Sequence, residues 1–192
     1  MSDSPPPQYD PQNESGRPGI RWDALAAIIA SLVGLLALVV AGYTAYIERQ
    51  QVRAQVWPYL QAGYSGSFHR YLWINRGVGP AVVKSVQVLV DGKPQQNWKT
   101  VQQALRIPSF RYHQSGLSGT VVSPGQTLQW LQFEEKDEYE DFRRAADGAN
   151  LQVKVCYCST LGDCWMNDSA RKDPRVSVGQ CPALPESQQF DD

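Results

Sequence analysis

Hydrophobic and polar positions divide the chain into consecutive segments of different character. Residues 1–23 are rich in Pro, Ser, Gln and Asn, whereas residues 24–47 are apolar and carry no Asp, Glu, Lys, Arg or His. Beyond residue 58, apolar and polar residues alternate in short runs. The pattern predicts five segments: a disordered tail (1–23), a transmembrane helix (24–47), a juxtamembrane helical stalk (48–57), a β domain (58–180) and a C-terminal tail (181–192).

The uncharged segment is long enough to cross a lipid bilayer as one helix. About 24 residues at ~1.5 Å of rise each reach roughly 36 Å, against about 30 Å of hydrocarbon. Trp22, Tyr43 and Tyr46 stand near its ends, where aromatic side chains favour the membrane interface. A cleaved signal peptide has a shorter apolar region behind a basic start. We therefore expect an uncleaved, single-pass anchor.

Small residues recur along one face of the predicted membrane helix. Ala30, Gly34, Ala37 and Ala41 are spaced by four and three residues, which places them in one stripe. Such a stripe lets two helices approach closely in lipid and would support a homodimer. Because Ala and Gly are common in membrane spans, a stripe of this kind also arises without pairing. The sequence leaves both interpretations open.

The region after residue 58 has the signals of an antiparallel β domain. Short runs rich in Val, Leu, Tyr and Trp alternate with polar residues, and turn residues separate them; the runs are FHRYLWIN, VVKSVQVLVDG, QTLQWLQF and NLQVKVCYC. Short helices are expected over residues 97–105, capped by Asn97, and over residues 135–148, ended by Gly148. The predicted fold is mainly β: a transmembrane helix followed by an immunoglobulin-like antiparallel β-sandwich with one or two short helices.

A glycine-containing turn connects the first two of these runs. Asn75, Gly77, Gly79 and Pro80 lie in the stretch NRGVGPA, where we expect the glycines to supply positive φ. With the preceding segment WPYL (57–60), this stretch resembles a loose set of bacterial single-pass membrane proteins whose outer part is a small β domain. The resemblance covers the anchor and the first half of the domain. It implies that architecture and brings no activity and no site residues.

Three of the four cysteines lie in the stretch CYCSTLGDCW, residues 156–165. If residues 160–162 form a three-residue hairpin loop with Gly162 in the left-handed conformation, Cys158 faces Cys164 across the ladder. Directly opposed residues in a hairpin are at a separation that suits a disulfide. The spacing therefore predicts a disulfide between these two cysteines.

The other two cysteines are Cys156 and Cys181. Cys156 shares a strand face with Cys158, and a bridge from it to Cys181 would hold down a Pro-rich segment. Four cysteines allow three pairings, and the sequence does not choose among them. Free structural thiols and a metal site stay open as alternatives, although the Cys-x2-Cys pairs typical of zinc sites are absent. Disulfides would require an oxidising compartment.

Charge and motifs narrow the function by exclusion. The 18 basic and 19 acidic residues are interspersed and give a net charge of −1, which argues against nucleic-acid binding. We find no catalytic motif and expect neither a catalytic residue nor a cofactor. Basic residues flank both ends of the span, so topology rests on the cysteines.

The predicted function is that of a non-enzymatic interaction or assembly module in the bacterial inner membrane. Its N-terminus would be cytoplasmic, and its β domain would be periplasmic and bind another envelope protein. The alternative is a metal-binding or thiol-based sensor or enzyme that uses the cysteine cluster.

Overall fold

The computed structural model describes residues 22–192, and it divides into two compact units between Glu48 and Arg49. The predicted tail falls outside the described residues except for its last two positions. Helix α1 (Trp22–Gln55) is continuous and is long and apolar enough to cross a membrane. No residue of α1 is buried, and the residues of the predicted pairing stripe are exposed.

The unit from Arg49 onward is built of short strands and two α-helices. Its strands in chain order are β1 (Leu60–Ser65), β2 (Arg70–Asn75), β3 (Ala81–Val90), β4 (Lys93–Gln95), β5 (Tyr112–Gln114), β6 (Val121–Val122), β7 (Thr127–Phe133), β8 (Gln152–Cys158), β9 (Cys164–Asp168) and β10 (Arg175–Val178). Its helices are α2 (Trp98–Leu105), α3 (Lys136–Gly148) and a single 3-10 turn (Glu186–Gln188).

The strands form two antiparallel sheets. The first sheet has the order β1-β2-β7-β5, and the second has the order β10-β9-β8-β3-β4 with β6 also paired to β3. All of these pairings are antiparallel, which confirms the prediction of an antiparallel β domain. Inward side chains of both sheets and of both α-helices join one hydrophobic core, with members such as Trp73, Trp130, Val86, Val155, Val101 and Phe142.

Both predicted helices are present with the expected ends. Asn97 caps α2, because its side-chain oxygen accepts a hydrogen bond from the backbone N–H of Thr100 at 3.0 Å. Helix α3 ends at Gly148 and buries Tyr139 and Phe142 against the core. Each helix is short, so its stability depends on this buried face.

The glycine-containing turn is present, but its glycines serve a purpose other than the predicted one. Gly77 and Gly79 do not have positive φ, so that expectation was wrong. A Cβ at Gly77 would overlap the backbone of residues 57–59, and a Cβ at Gly79 would overlap the backbone of Val56. The glycines let two backbone segments lie against each other, and Pro80 then leads directly into β3. The WPYL and NRGVGPA segments are therefore in direct contact.

Asn75 holds this contact in place. Its side chain is fully buried, and its Oδ1 accepts hydrogen bonds from the backbone N–H groups of Tyr59 at 3.1 Å and Gly77 at 3.0 Å. Its Nδ2 donates to the carbonyl oxygens of Gly79 at 2.8 Å and Val122 at 2.9 Å. All four hydrogen-bonding positions of the amide are thus used, as burial of a polar group requires.

The C-terminal residues are integrated into the core. Phe190 is 1% exposed, and its backbone N–H donates to the carbonyl of Val86 at 2.9 Å. The carboxylate of Asp192 accepts hydrogen bonds from the backbone N–H of Leu117 and from the indole N–H of Trp130. Residues 181–192, predicted as a tail, therefore contribute an aromatic side chain to the packed interior.

Candidate functional site

The hairpin between β8 and β9 positions the first cysteine pair. Gly162 has φ +86°, which confirms the predicted left-handed residue of the three-residue loop. The backbone N–H of Ser159 donates to the carbonyl of Asp163 at 2.7 Å and closes the hairpin. This register sets Cys158 directly opposite Cys164.

Both cysteine pairs considered from the sequence lie at disulfide bonding distance. Cys158 and Cys164 have Cα atoms 4.0 Å apart, and Cys156 and Cys181 have Cα atoms 5.7 Å apart. Cys156 is 0% exposed, and Cys158 and Cys164 are each 6% exposed. One pair staples the hairpin, and the other fastens the segment that follows β10 to the middle of the second sheet.

The two pairs are close enough to form one sulfur cluster. The Sγ atoms of Cys158 and Cys181, which belong to different pairs, are 3.7 Å apart. The sulfurs of Cys158, Cys164 and Cys181 all lie within 4.8 Å of one another. When paired these sulfurs are structural links, and when reduced they would present several thiols around one point.

A second feature, which the sequence analysis missed, is a cavity between the first sheet and the beginning of β8. Its volume is about 270 Å³, and α2 and α3 contribute residues to its lining. Six of the residues that line it are aromatic, and they come from five different elements: Tyr64, Tyr71, Trp73, Trp98, Trp130 and Phe142. Except for the exposed Tyr64 and the half-buried Tyr71, these residues are buried core positions of ordinary strands and helices, so no sequence motif marks them.

The comparisons with known proteins add no candidate residue. Comparison with protein families, with curated proteins and with solved structures gave no match. The candidate sites therefore rest on the geometry of this chain.

The mouth of the cavity carries the polar groups of the site. Asp147 on α3 is exposed and is the one charged side chain among the described residues that line the cavity. Arg143, one helical turn earlier, lies over the ring of Tyr64 with its guanidinium carbon 5.4 Å from the ring centroid. Burial raises the pKa of Tyr71, and the nearby Tyr139 and Asp147 raise it further, so Tyr71 stays a neutral hydroxyl.

Exposed aromatic residues continue from this mouth onto the end of the β1–β2 hairpin. Tyr64 is 65% exposed and Phe68 is 61% exposed. Arg70 lies over the Phe68 ring at 4.7 Å, just as Arg143 lies over Tyr64. We call these four residues the aromatic–arginine patch. Aromatic and arginine side chains together are the usual anchors of protein interfaces.

Proposed function

We propose that this chain is a single-pass bacterial inner-membrane protein with a cytoplasmic N-terminus and a periplasmic, non-enzymatic interaction domain. The observation that carries the proposal is the pairing of all four cysteines in a domain that follows a helix with an uncharged segment of membrane length, residues 24–47. Disulfides persist in oxidising compartments and are rare in the cytosol of mesophiles. The domain therefore belongs on the outer side of the membrane that α1 crosses.

We also propose an immunoglobulin-like sandwich as the architecture of this domain. The order β1-β2-β7-β5 corresponds to the A-B-E-D sheet of that fold, and β4-β3-β8-β9 corresponds to C′-C-F-G. The additional strand β10 extends the second sheet beyond the G position. Domains of this kind commonly act in recognition at cell surfaces, which supports an interaction role over an enzymatic one.

The experiment on topology uses a maleimide that does not cross the inner membrane. It is applied to intact cells, to cells with a permeabilised outer membrane and to lysed cells, each with and without prior reduction. We expect labelling once the outer membrane is opened, and only after reduction. Labelling without reductant that requires inner-membrane lysis would place the domain in the cytoplasm and refute the proposal.

The interaction surface we propose is the aromatic–arginine patch, and its partner is another envelope protein. A photo-crosslinking amino acid at Phe68 in living cells should give a discrete crosslinked species. The matched control is Leu161, an apolar residue of the β8–β9 loop that is 47% exposed. Equal crosslinking from both positions would argue against a specific surface.

A homodimer through α1 is a further part of the proposal. Replacement of Gly34 by Leu puts a bulky side chain into the stripe of small residues, which keeps two helices from approaching closely. It should therefore weaken self-association in a membrane two-hybrid assay. Ser31→Leu is the matched control, because Ser31 lies off the stripe and also within the span. An unchanged signal for Gly34→Leu would mean that the stripe has no pairing role.

The cysteine cluster supports a second candidate function, binding of a soft metal ion by reduced thiols. Three sulfurs within 4.8 Å of one another are compatible with a shared thiolate-bound ion such as zinc. Metal analysis of the purified full-length chain, before and after reduction, distinguishes the two functions. One zinc per chain as isolated would favour the metal-binding function over the disulfide-stapled module.

A further inference from the structure

The cavity behind the β1–β2 hairpin combines aromatic walls with one acidic group. Trp73, Trp98 and Phe142 border the cavity and are each 2% exposed, so each presents only a small part of its surface to the interior. Asp147 and Tyr64 are exposed and mark the side that opens to water. Ligand pockets have this composition: a largely apolar interior with a small number of polar groups that set orientation.

The size of the cavity limits its occupant to a small molecule. An engineered cavity of about 150 Å³ in another protein takes up benzene. The cavity here, at about 270 Å³, has room for two fused rings or an apolar body of similar bulk. A folded peptide or an intact lipid would extend well beyond it.

The charge at the mouth selects the kind of molecule. Within residues 22–192, the carboxylate of Asp147 forms no ion pair. Faces of Trp and Tyr rings attract cations, and Tyr64 already holds the guanidinium of Arg143 in this way. A cationic group at the mouth would gain from the carboxylate of Asp147, and an anionic group would be repelled by it; Arg143 lies over Tyr64 but does not line the cavity.

We propose that this cavity binds a small organic amine, with its apolar body against the aromatic and aliphatic lining and its protonated nitrogen at the mouth beside Asp147. The inference goes beyond the interaction role proposed above and does not depend on topology. It also does not require the disulfides, since none of the four cysteines lines the cavity.

The test compares three probes of equal bulk and different charge: 1-naphthylmethylamine, 1-naphthalenemethanol and 1-naphthoic acid. The full-length chain is labelled with 5-fluorotryptophan, placed in phosphatidylcholine nanodiscs and followed by fluorine NMR. Of its six tryptophans, three line the cavity and three do not, namely Trp22, Trp57 and Trp165. Resonances are assigned by single Trp→Phe variants, and the Trp22 signal reports any partition of probe into lipid.

We expect the amine to shift the resonances of the three cavity tryptophans and to bind about fivefold tighter than the alcohol, with the acid weakest. Asp147→Asn should bring the amine and the alcohol to within twofold. The charge preference would then be traced to one carboxylate, with the apolar walls unchanged.

A pair of neighbouring substitutions controls for location. Ala62 lines the cavity and is exposed, and the adjacent Gln61 is exposed but does not line it. Ala62→Leu should weaken amine binding at least fivefold by narrowing the mouth, while Gln61→Leu should leave it unchanged. Unaltered Trp165 resonances in both variants verify that the domain stays folded.

Three outcomes would overturn the inference. The first is the absence of any shift at the cavity tryptophans with all three probes. The second is binding of the alcohol or the acid as tightly as the amine, which would remove the cationic preference; tighter binding of the acid would indicate that Arg143 governs the mouth. The third is equal loss of binding in Ala62→Leu and Gln61→Leu, which would place the probe elsewhere.

Discussion

Replacement of Asn75 by Ala tests whether one buried side-chain amide holds the glycine-containing turn against the segments that contact it. The side chain is 0% exposed and makes four hydrogen bonds, two accepted and two donated, with lengths from 2.8 to 3.1 Å. Its removal leaves two backbone N–H groups and two carbonyl oxygens of three separate segments without these partners. We expect a large loss of stability from this single change.

The magnitude follows from the number of bonds lost. A hydrogen bond contributes about 0.5–1.5 kcal/mol net, and buried partners that stay unpaired move the cost toward the upper end. Four bonds therefore correspond to about 4 kcal/mol. Since small domains have unfolding free energies of about 5–15 kcal/mol, Asn75→Ala should remove a large part of the stability of the domain.

The matched control is Asn167→Ala. Asn167 is 5% exposed, and its side chain makes a single hydrogen bond, from Nδ2 to the carbonyl of Leu60 at 3.1 Å. Both substitutions remove the same atoms from a buried position, so the difference between them isolates the additional hydrogen bonds. We expect Asn167→Ala to cost about 1–2 kcal/mol.

The assay is guanidinium unfolding of the full-length protein in detergent with its disulfides intact, followed by tryptophan fluorescence. Trp73 and Trp130 are buried in the core, and their emission reports its loss. Asn75→Ala should cost at least twice as much as Asn167→Ala. Equal costs for the two variants would refute the assignment of Asn75 as the centre of a four-bond network.

Other substitutions give expectations that the same unfolding assay can check. Cys181→Ser opens a loop with a sequence separation of 25 and should lower the unfolding free energy by about 3.5 kcal/mol. Cys164→Ser opens a loop with a separation of 6 and should lower it by about 2.4 kcal/mol. The reverse order would contradict the loop-entropy account. Gly79→Ala should destabilise the domain by about 2 kcal/mol or more because its Cβ meets backbone, whereas Gly66→Ala, with open space around it, should stay within about 0.5 kcal/mol. Burial raises the pKa of Tyr71, so as the pH rises the unfolded chain loses the phenol proton before the folded chain does. The unfolding free energy should therefore fall above about pH 10, and Tyr71→Phe should reduce that fall in a pH series.

Features that depend on neighbours in the sequence followed from the sequence alone. The uncharged run over residues 24–47 predicts a membrane-length helix, and α1 contains it. Asn97 marks the start of α2 through local hydrogen bonding, and α3 ends at Gly148 as the sequence predicts. The hairpin register that opposes Cys158 and Cys164 depends on a three-residue loop with Gly162 in the left-handed conformation, which spacing along the chain already specifies.

Features that depend on residues distant in sequence needed the tertiary structure. The glycine at position 79 is required by the close passage of Val56, a contact that no local pattern contains, and so the expectation of positive φ failed. The choice of Cys181 as the partner of Cys156, among three pairings, depended on where the C-terminal segment docks.

The aromatic cavity is the clearest feature that the sequence alone could not predict. Its walls come from β1, β2, α2, β7, α3 and β8, and each contributes residues that a core strand or helix would carry in any case. Periodicity states which face of an element is buried, but it does not state which faces meet or whether they fill the space between them. Side-chain packing over long sequence separations decided that these faces leave a cavity and that Asp147 stands at its mouth.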